Sequence, residues 1–242
     1  MQDCSFTGNG ADRIGAYAVK HSPLCCTAAQ NRIVPNYIQS MWMPLREGGA
    51  AATLYGPCAV SLKTRDGLFA ADEETRYPYG EEIVIRVKAA PAKEMPLKLR
   101  LPGWCAAPSV AVNGEAVDEK PEKGFVTVRR AWRADDVVVV RLPMAVRVEK
   151  MTSYNDRSKG WLSLSRGPLL YAHVLPGTDV NTPVEPVYVP EAPAALKAED
   201  VEVMSGDLPR LGFTDAAGRR LELVPYGEAK LRVSMFPLAK ER

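Results

Sequence analysis

GFVTVRRAWRADDVVVVRLPMAVRVEK, residues 124–150, decides the fold of this chain. It holds three runs of about strand length, GFVTVRR, DVVVVRLP and AVRVEK, rich in β-branched valine and separated by polar or proline-containing breaks. Moving toward the N-terminus, the same grammar recurs in SVAV, MPLKLRLP, EEIVIRVK, PCAVSLK and AATLYG. Asn113-Gly114 reads as a tight hairpin, because both residues tolerate the positive φ of a type I′ turn. Regular short strands joined by polar turns predict a β-sandwich or barrel. Its end is expected near Glu149.

Beyond it, residues 150–160 (KMTSYNDRSKG) are polar and turn-prone, and strand signals resume in WLSLS and PLLYAHVL. A Pro- and Ala-rich stretch from Pro176 to Leu196 has little periodicity, and LELVP and KLRVSMF read as closing strands of a second, smaller β unit. No internal repeat of fixed period is visible. Upstream of the first strands lies one substantial helical signal. Thr27 to Ile33 is able to form the first turns, and Pro35 is expected to kink the helix or to start a new one at its first position. Ile38, Met41 and Trp42 then follow at i, i+3 and i+4, one apolar stripe to bury, and Pro44 ends the segment.

Composition narrows the function classes. The 242 residues carry 31 basic and 29 acidic side chains, a net charge of +2, with no basic stripe interleaved with aromatics, so no nucleic-acid partner is expected. No apolar run approaches the ~18 residues of a membrane-spanning helix, and no membrane partner is expected. The N-terminal MQDCSFTGNGADR lacks the basic and apolar regions of a signal peptide, and the sequence assigns no compartment. Five cysteines, at 4, 25, 26, 58 and 105, are odd in number and irregularly spaced, which argues against a disulfide framework.

Chemistry concentrates on the vicinal pair Cys25-Cys26, just before the helical segment. By residue type alone the pair reads first as two buried small hydrophobes and second as metal ligands or a nucleophile. The positive end of a helix lowers a thiol pKa, and the thiolate is the form that binds metals and attacks carbon. Two adjacent thiols do not complete a tetrahedral zinc site, which needs two more ligands. His21 is near, but Pro23 spoils a helical pairing with Cys25; Cys4 is a weaker candidate still. With only His21 and His173 present, and no G-x-S-x-G, a serine triad has little to build on. No Gly-rich phosphate loop occurs. The pairs Glu73-Glu74, Glu81-Glu82 and Asp135-Asp136 read as solvated faces at strand edges or turns. Trp104, Trp132 and Trp161 are able to stack on sugar rings, although core packing is the commoner role.

The order of motifs resembles glycoside hydrolase family 127, the β-L-arabinofuranosidases and their relatives. The matching pieces are LCCTAAQNRIVPNYIQSMWM (24–43), AATLYGPCAVSL (51–62), TRYPYGEEIVIRV (75–87), PLKLRLPGWC (96–105) and VAVNG (110–114). They continue in GFVTVRRAWRADDVVVVRLPM (124–144), GWLSLSRGPLLYA (160–172) and LVPYGEAKLRVSMFP (223–237). The resemblance implies a mainly β chain, with two β-sandwich domains preceded by a short helical remnant of an (α/α)6 barrel. On that pattern residues 1–45 are the end of the catalytic barrel, 46–149 the first sandwich and 150–242 the second.

The resemblance also implies a retaining mechanism in which a zinc-bound cysteine thiolate is the nucleophile and a glutamate is the acid/base. By position Cys25 is the nucleophile and a zinc ligand, Cys26 is a second ligand, and a thioglycosyl intermediate divides one displacement into two. Family zinc sites add an upstream Glu-x-Cys pair, and no Glu-x-Cys occurs here. The expectation is therefore the C-terminal portion of such an enzyme, inactive as this chain. Its partners would be the missing N-terminal barrel segment and arabinose-containing or other plant glycans. A non-catalytic sandwich module that packs on a barrel or binds glycan is the rival reading.

Overall fold

The computed structural model describes residues 25–150, 152, 160–174, 190–229 and 232–239, with side chains described from residue 31 onward and that of Arg232 excepted. The chain divides into two compact units, one of Asn31–Ala145 and one of Met1–Gln30 with Val146–Arg242. It is mainly β, as the periodicity predicts.

Among the described residues there is one α-helix, α1 (Cys25–Met41), ahead of the strands. It is one continuous element with Pro35 inside it, so Pro35 does not start a new helix. Proline there removes the N–H that would bond the Asn31 carbonyl. Residues 31–39 are all exposed, so water is able to take that carbonyl instead. At the other end the chain itself supplies the caps. Thr53 and Leu54 donate their N–H groups to the Met41 carbonyl at 2.8 and 3.3 Å, and the Thr53 hydroxyl donates to the Ser40 carbonyl. The stripe of Ile38, Met41 and Trp42 is split: Met41 and Trp42 are buried, and Ile38 is exposed beside Ile33 and Val34. Trp42 leaves the helix as a strand residue, which turns its ring into the core.

Ten strands follow in the Asn31–Ala145 unit: β1 (Trp42–Pro44), β2 (Ala50–Ala52), β3 (Cys58–Thr64), β4 (Gly67–Thr75), β5 (Glu82–Ala89), β6 (Glu94–Arg100), β7 (Ser109–Val112), β8 (Glu115–Ala116), β9 (Phe125–Ala131) and β10 (Val137–Arg141). They form a four-stranded sheet, β1-β2-β6-β9, and a six-stranded sheet, β3-β4-β5-β10-β7-β8. The inner faces of both sheets share one core. β10 shows why the opening stretch decides the fold. Val138 and Val140 are fully buried and Val137 and Val139 half-buried, so the valine run alternates at the centre of its sheet between β5 and β7. Each fully buried valine contributes about 1.5–3 kcal/mol. Phe69, Ile83, Ile85, Met95, Leu97 and Leu99 complete the contact between the sheets.

The Asn113-Gly114 hairpin forms as expected, with φ of 51° and 85° and with Ala111 opposite Ala116. Of AATLYG (51–56) only Ala51 and Ala52 are strand, in β2, which pairs in parallel with β6, Ala50 opposite Leu97. β4 escaped the sequence reading, because Asp72, Glu73 and Glu74 mask its alternation.

In the second unit lie β11 (Val146–Lys150), β12 (Leu162–Arg166), β13 (Leu169–Val174), β14 (Glu202–Met204), β15 (Arg210–Thr214), β16 (Arg220–Pro225) and β17 (Arg232–Val233). They pair in the order β11-β12-β13-β16-β15-β14, with β17 also on β13. Leu164, Tyr171, Leu211, Phe213, Leu223 and Phe236 fill the core, where Phe213 meets Phe236 edge-on at 5.4 Å. The sequence reading anticipated β12, β13, β16 and β17 but not β14 and β15. The linker at 153–159 and most of the Pro-rich stretch lie outside the described residues.

The turn from β15 to β16 is held by one buried carboxylate. Asp215 Oδ1 accepts from the N–H groups of Ala217 and Arg219 at 3.0 and 2.8 Å, and Oδ2 accepts from Arg219 Nε and Nη2 at 3.0 and 2.8 Å. Asp215→Ala strands two backbone donors and is expected to cost about 2–3 kcal/mol. Amide hydrogen exchange in β15 and β16 is the measurement, and unchanged protection there would sink the assignment.

Candidate functional site

Three places in the chain carry chemistry. The first is the start of α1. Cys25 and Cys26 are its first two residues, so their backbone sits at the positive end of the helix dipole, as the sequence predicts. Their side chains, and all of His21 and Cys4, lie outside the described residues. Among the described residues no group of three or more His, Cys, Asp or Glu side chains is placed to hold a metal ion. Two thiols are half of a tetrahedral donor set, which needs two further ligands. Cys58 and Cys105 are free thiols, half-buried and buried.

The second place is Glu73, a residue expected on a solvated face and found 2% exposed. Phe69, Ala71 and Glu73 share the inward face of β4. Glu73 Oε2 accepts from Trp42 Nε1 and Oε1 from the Gly56 N–H, both at 2.8 Å. Burial pushes this carboxyl up to about 7, against the opposing pull of the Gly56 N–H and the Trp42 indole. Its charge in turn raises Cys58, whose thiol burial already pushes up. Glu73 thus fastens the start of β1 and the 53–57 loop to β4.

The other acidic pairs also divide into a more buried and an exposed member, here at the turns that lead into β10 and β5. Asp136 is buried at 7% exposure, and Asp135 is exposed at φ 69°. Asp136 Oδ1 accepts from Asn113 Nδ2 and Oδ2 from the Arg133 N–H, each at 2.8 Å. Burial alone would raise the Asp136 carboxyl. The hydrogen bonds from Asn113 and Arg133, with the charges of Arg130 and Arg133, hold it below the usual value instead. Glu81 accepts from the Met144 N–H at 3.0 Å, while exposed Glu74 and Glu82 pair with Arg86 and Arg141.

The third place is a cleft of about 160 Å³ lined by Tyr37, Thr53, Tyr55, Tyr77, Arg100 and Trp104, all in the Asn31–Ala145 unit. Tyr37 projects from α1 and donates its hydroxyl to the Tyr55 carbonyl at 2.7 Å; Tyr55 donates its own to the Arg100 carbonyl at 2.8 Å. The Tyr55 and Tyr77 rings meet edge-on at 6.0 Å. Burial raises the hydroxyls of both, Tyr77 to about 12. Trp104 is set by a turn in which the Cys105 N–H bonds the Pro102 carbonyl at 3.0 Å. Of the other tryptophans proposed for sugar stacking, Trp132 is buried and donates to the Met95 carbonyl, and Trp161 is half-buried. His173 is half-buried, its Nδ1 3.1 Å from the Glu222 carbonyl oxygen.

A β-sandwich that follows a helix opening on paired cysteines, with an aromatic cleft on the sandwich, is the class these observations define. Residues 49–144 match the family model of the β-L-arabinofuranosidase GH127 middle domain, in keeping with the resemblance read from the motifs. Among solved structures, a GH127 β-arabinofuranosidase is similar over 93% of this chain and 40% of its own, at 20% identity and a TM-score of 0.74. A GH127 β-L-arabinofuranosidase from Geobacillus stearothermophilus T6 is similar over 91% of this chain and 38% of its own, at 21% identity and a TM-score of 0.71. A protein described as a glycoside hydrolase gives 93% and 41%, at 19% identity and a TM-score of 0.71. The chain thus spans about two fifths of the length of the structures it matches. No curated protein matches the sequence.

Proposed function

We propose that this chain is the C-terminal β-sandwich portion of a retaining glycoside hydrolase similar to the β-L-arabinofuranosidases, with Cys25 as nucleophile and zinc held in part by Cys25 and Cys26. The observation that carries the reading is the family-model match over 49–144, close behind a helix that opens on two consecutive thiols. A helix start favours the thiolate of such a residue. Attack on an anomeric carbon forms a carbon–sulfur bond and expels an oxygen that needs a proton from a general acid. Glu73 and Asp136, two buried carboxyls of the first unit, are committed to Trp42 and Gly56 and to Asn113 and Arg133. That acid and the remaining metal ligands belong, on this reading, to a helical region that the chain works with. Arabinose-containing or other plant glycans are the proposed substrates.

The chain alone is therefore expected to release no aryl alcohol from aryl arabinofuranosides, with or without zinc. Turnover that disappears in Cys25→Ala would refute the claimed dependence on another region. Fused behind the helical region of a GH127 relative, the chain is expected to turn over and to lose activity in Cys25→Ala. The exposed Ile33, Val34 and Ile38 on α1, and the aromatic cleft, favour a second reading in which the sandwich is a packing or glycan-binding module. Affinity electrophoresis on plant polysaccharides separates its two forms: retardation supports glycan binding, and unaltered migration supports packing.

A further inference from the structure

The cleft of the first unit is chemically one-sided. None of its lining residues is acidic, and Glu73, behind it, is turned toward Trp42 and Gly56. The hydroxyls of Tyr37, Tyr55 and Thr53 are spent on backbone carbonyls. Three residues that line it carry side-chain donors with no hydrogen-bond or ion-pair partner among the described residues: the Tyr77 hydroxyl, the Trp104 indole and the Arg100 guanidinium. The Arg100 charge is near enough to oppose the rise in both Tyr55 and Tyr77.

Size limits the ligand as firmly as charge. At about 160 Å³ the cleft is smaller than the roughly 300–1,000 Å³ of sites for drug-sized molecules. It is comparable to the ~150 Å³ cavity that accepts a benzene ring. The cleft is half open, so one sugar ring is able to seat in it with the rest of a glycan toward solvent. Aromatic faces at Tyr77 and Trp104 suit the apolar face of a sugar ring, and a guanidinium suits a carboxylate, which it binds through parallel N–H donors.

We infer that this cleft binds one uronic acid residue of a glycan, its carboxylate on Arg100 and its ring against Tyr77 and Trp104. The inference rests on the glycan-directed reading above for its ligand class, and it adds a charge preference that the reading does not contain. It requires no catalysis, so it stands or falls apart from the Cys25 assay.

The test is titration of the 242-residue chain with methyl glucuronide and methyl galacturonide, beside the neutral methyl glucoside and methyl galactoside, read by calorimetry and tryptophan fluorescence. The uronides are expected to bind at least about tenfold more tightly than the neutral sugars. Arg100→Gln, which leaves the carbonyl that Tyr55 uses, should erase that preference, and Trp104→Ala should weaken uronide binding. Arg141→Gln, an exposed charge paired with Glu82, should change nothing. Equal binding of neutral and acidic sugars, no binding of either, or an unaltered preference in Arg100→Gln with native circular dichroism would each overturn the inference.

Discussion

Gly49→Ala is expected to destabilise the first unit by about 3 kcal/mol or more, whereas Gly114→Ala costs only about 1 kcal/mol. The two glycines share nearly the same backbone, with φ of +86° and +85°, so the conformational penalty of adding a Cβ is common to both. They differ in what that Cβ meets. At Gly49 it would lie 2.1 Å from the Pro96 carbonyl oxygen and 2.8 Å from its Cδ, and at Gly114 nothing lies within 4 Å. Pro96 is held in β6 opposite Arg129 of β9, so relief at Gly49 means moving a paired strand. Urea denaturation of both variants, followed by tryptophan fluorescence, measures the difference. Equal losses would show that the close approach at Gly49 relaxes without cost.

The second large effect is a stability that falls as pH rises through the neutral range. Glu73 has a carboxyl raised from 4.5 to about 7 in the folded unit. Between those values the folded state holds a proton that the unfolded chain has lost. Stability from this group is therefore complete below about 4.5 and is lost as pH climbs to about 7. The whole excursion is about 3 kcal/mol at one pKa unit per 1.36 kcal/mol. Asp136 works the other way: its lowered carboxyl contributes above the unfolded pKa and loses its contribution only as pH falls below that value. The first unit is thus expected to be most stable in mildly acidic solution. Glu73→Gln should flatten the slope between pH 4.5 and 7 while leaving the acid limb intact. Denaturation midpoints across pH test this, and a slope that survives the substitution would assign it to another group.

Both effects arise where the sequence was hardest to read. The strands of 124–150 were legible because valine alternation and polar turns agree, and so was the Asn113-Gly114 hairpin, whose two residues both need positive φ. β4 was not, since its inward position 73 is a glutamate and its outward ones are also acidic. The signal was present all the same: Phe69, Ala71 and Glu73 keep period two, as do Asp136, Val138 and Val140. Reading adjacent acids as a pair hid the fact that a strand sends them to opposite faces. Pro35 does not restart the helix, and the exposure of residues 31–39 leaves the carbonyl it frees open to water.

The site divides likewise. Cys25-Cys26 is contiguous and easily seen, but residue type alone read it as buried, and the family resemblance was what made it a candidate site. The cleft is assembled from Tyr37, Tyr55, Tyr77 and the near neighbours Arg100 and Trp104, on a helix, a strand end and three connecting segments. No spacing rule links them. Only the register of β6 and the bonds from Tyr37 and Tyr55 bring them to one wall.

The parallel pairing of β2 with β6 sets an order of events on a growing chain. β3, β4 and β5 pair with their sequence neighbours and are able to form as soon as they are made. β2 has no such option on that side, because Ala50 must wait for Leu97. During that interval a nascent chain exposes one strand edge, the feature that invites pairing with another molecule. β2 is Ala50–Ala52, three residues with weak strand preference and little apolar surface. That waiting edge is therefore made of residues poorly able to recruit a wrong partner meanwhile.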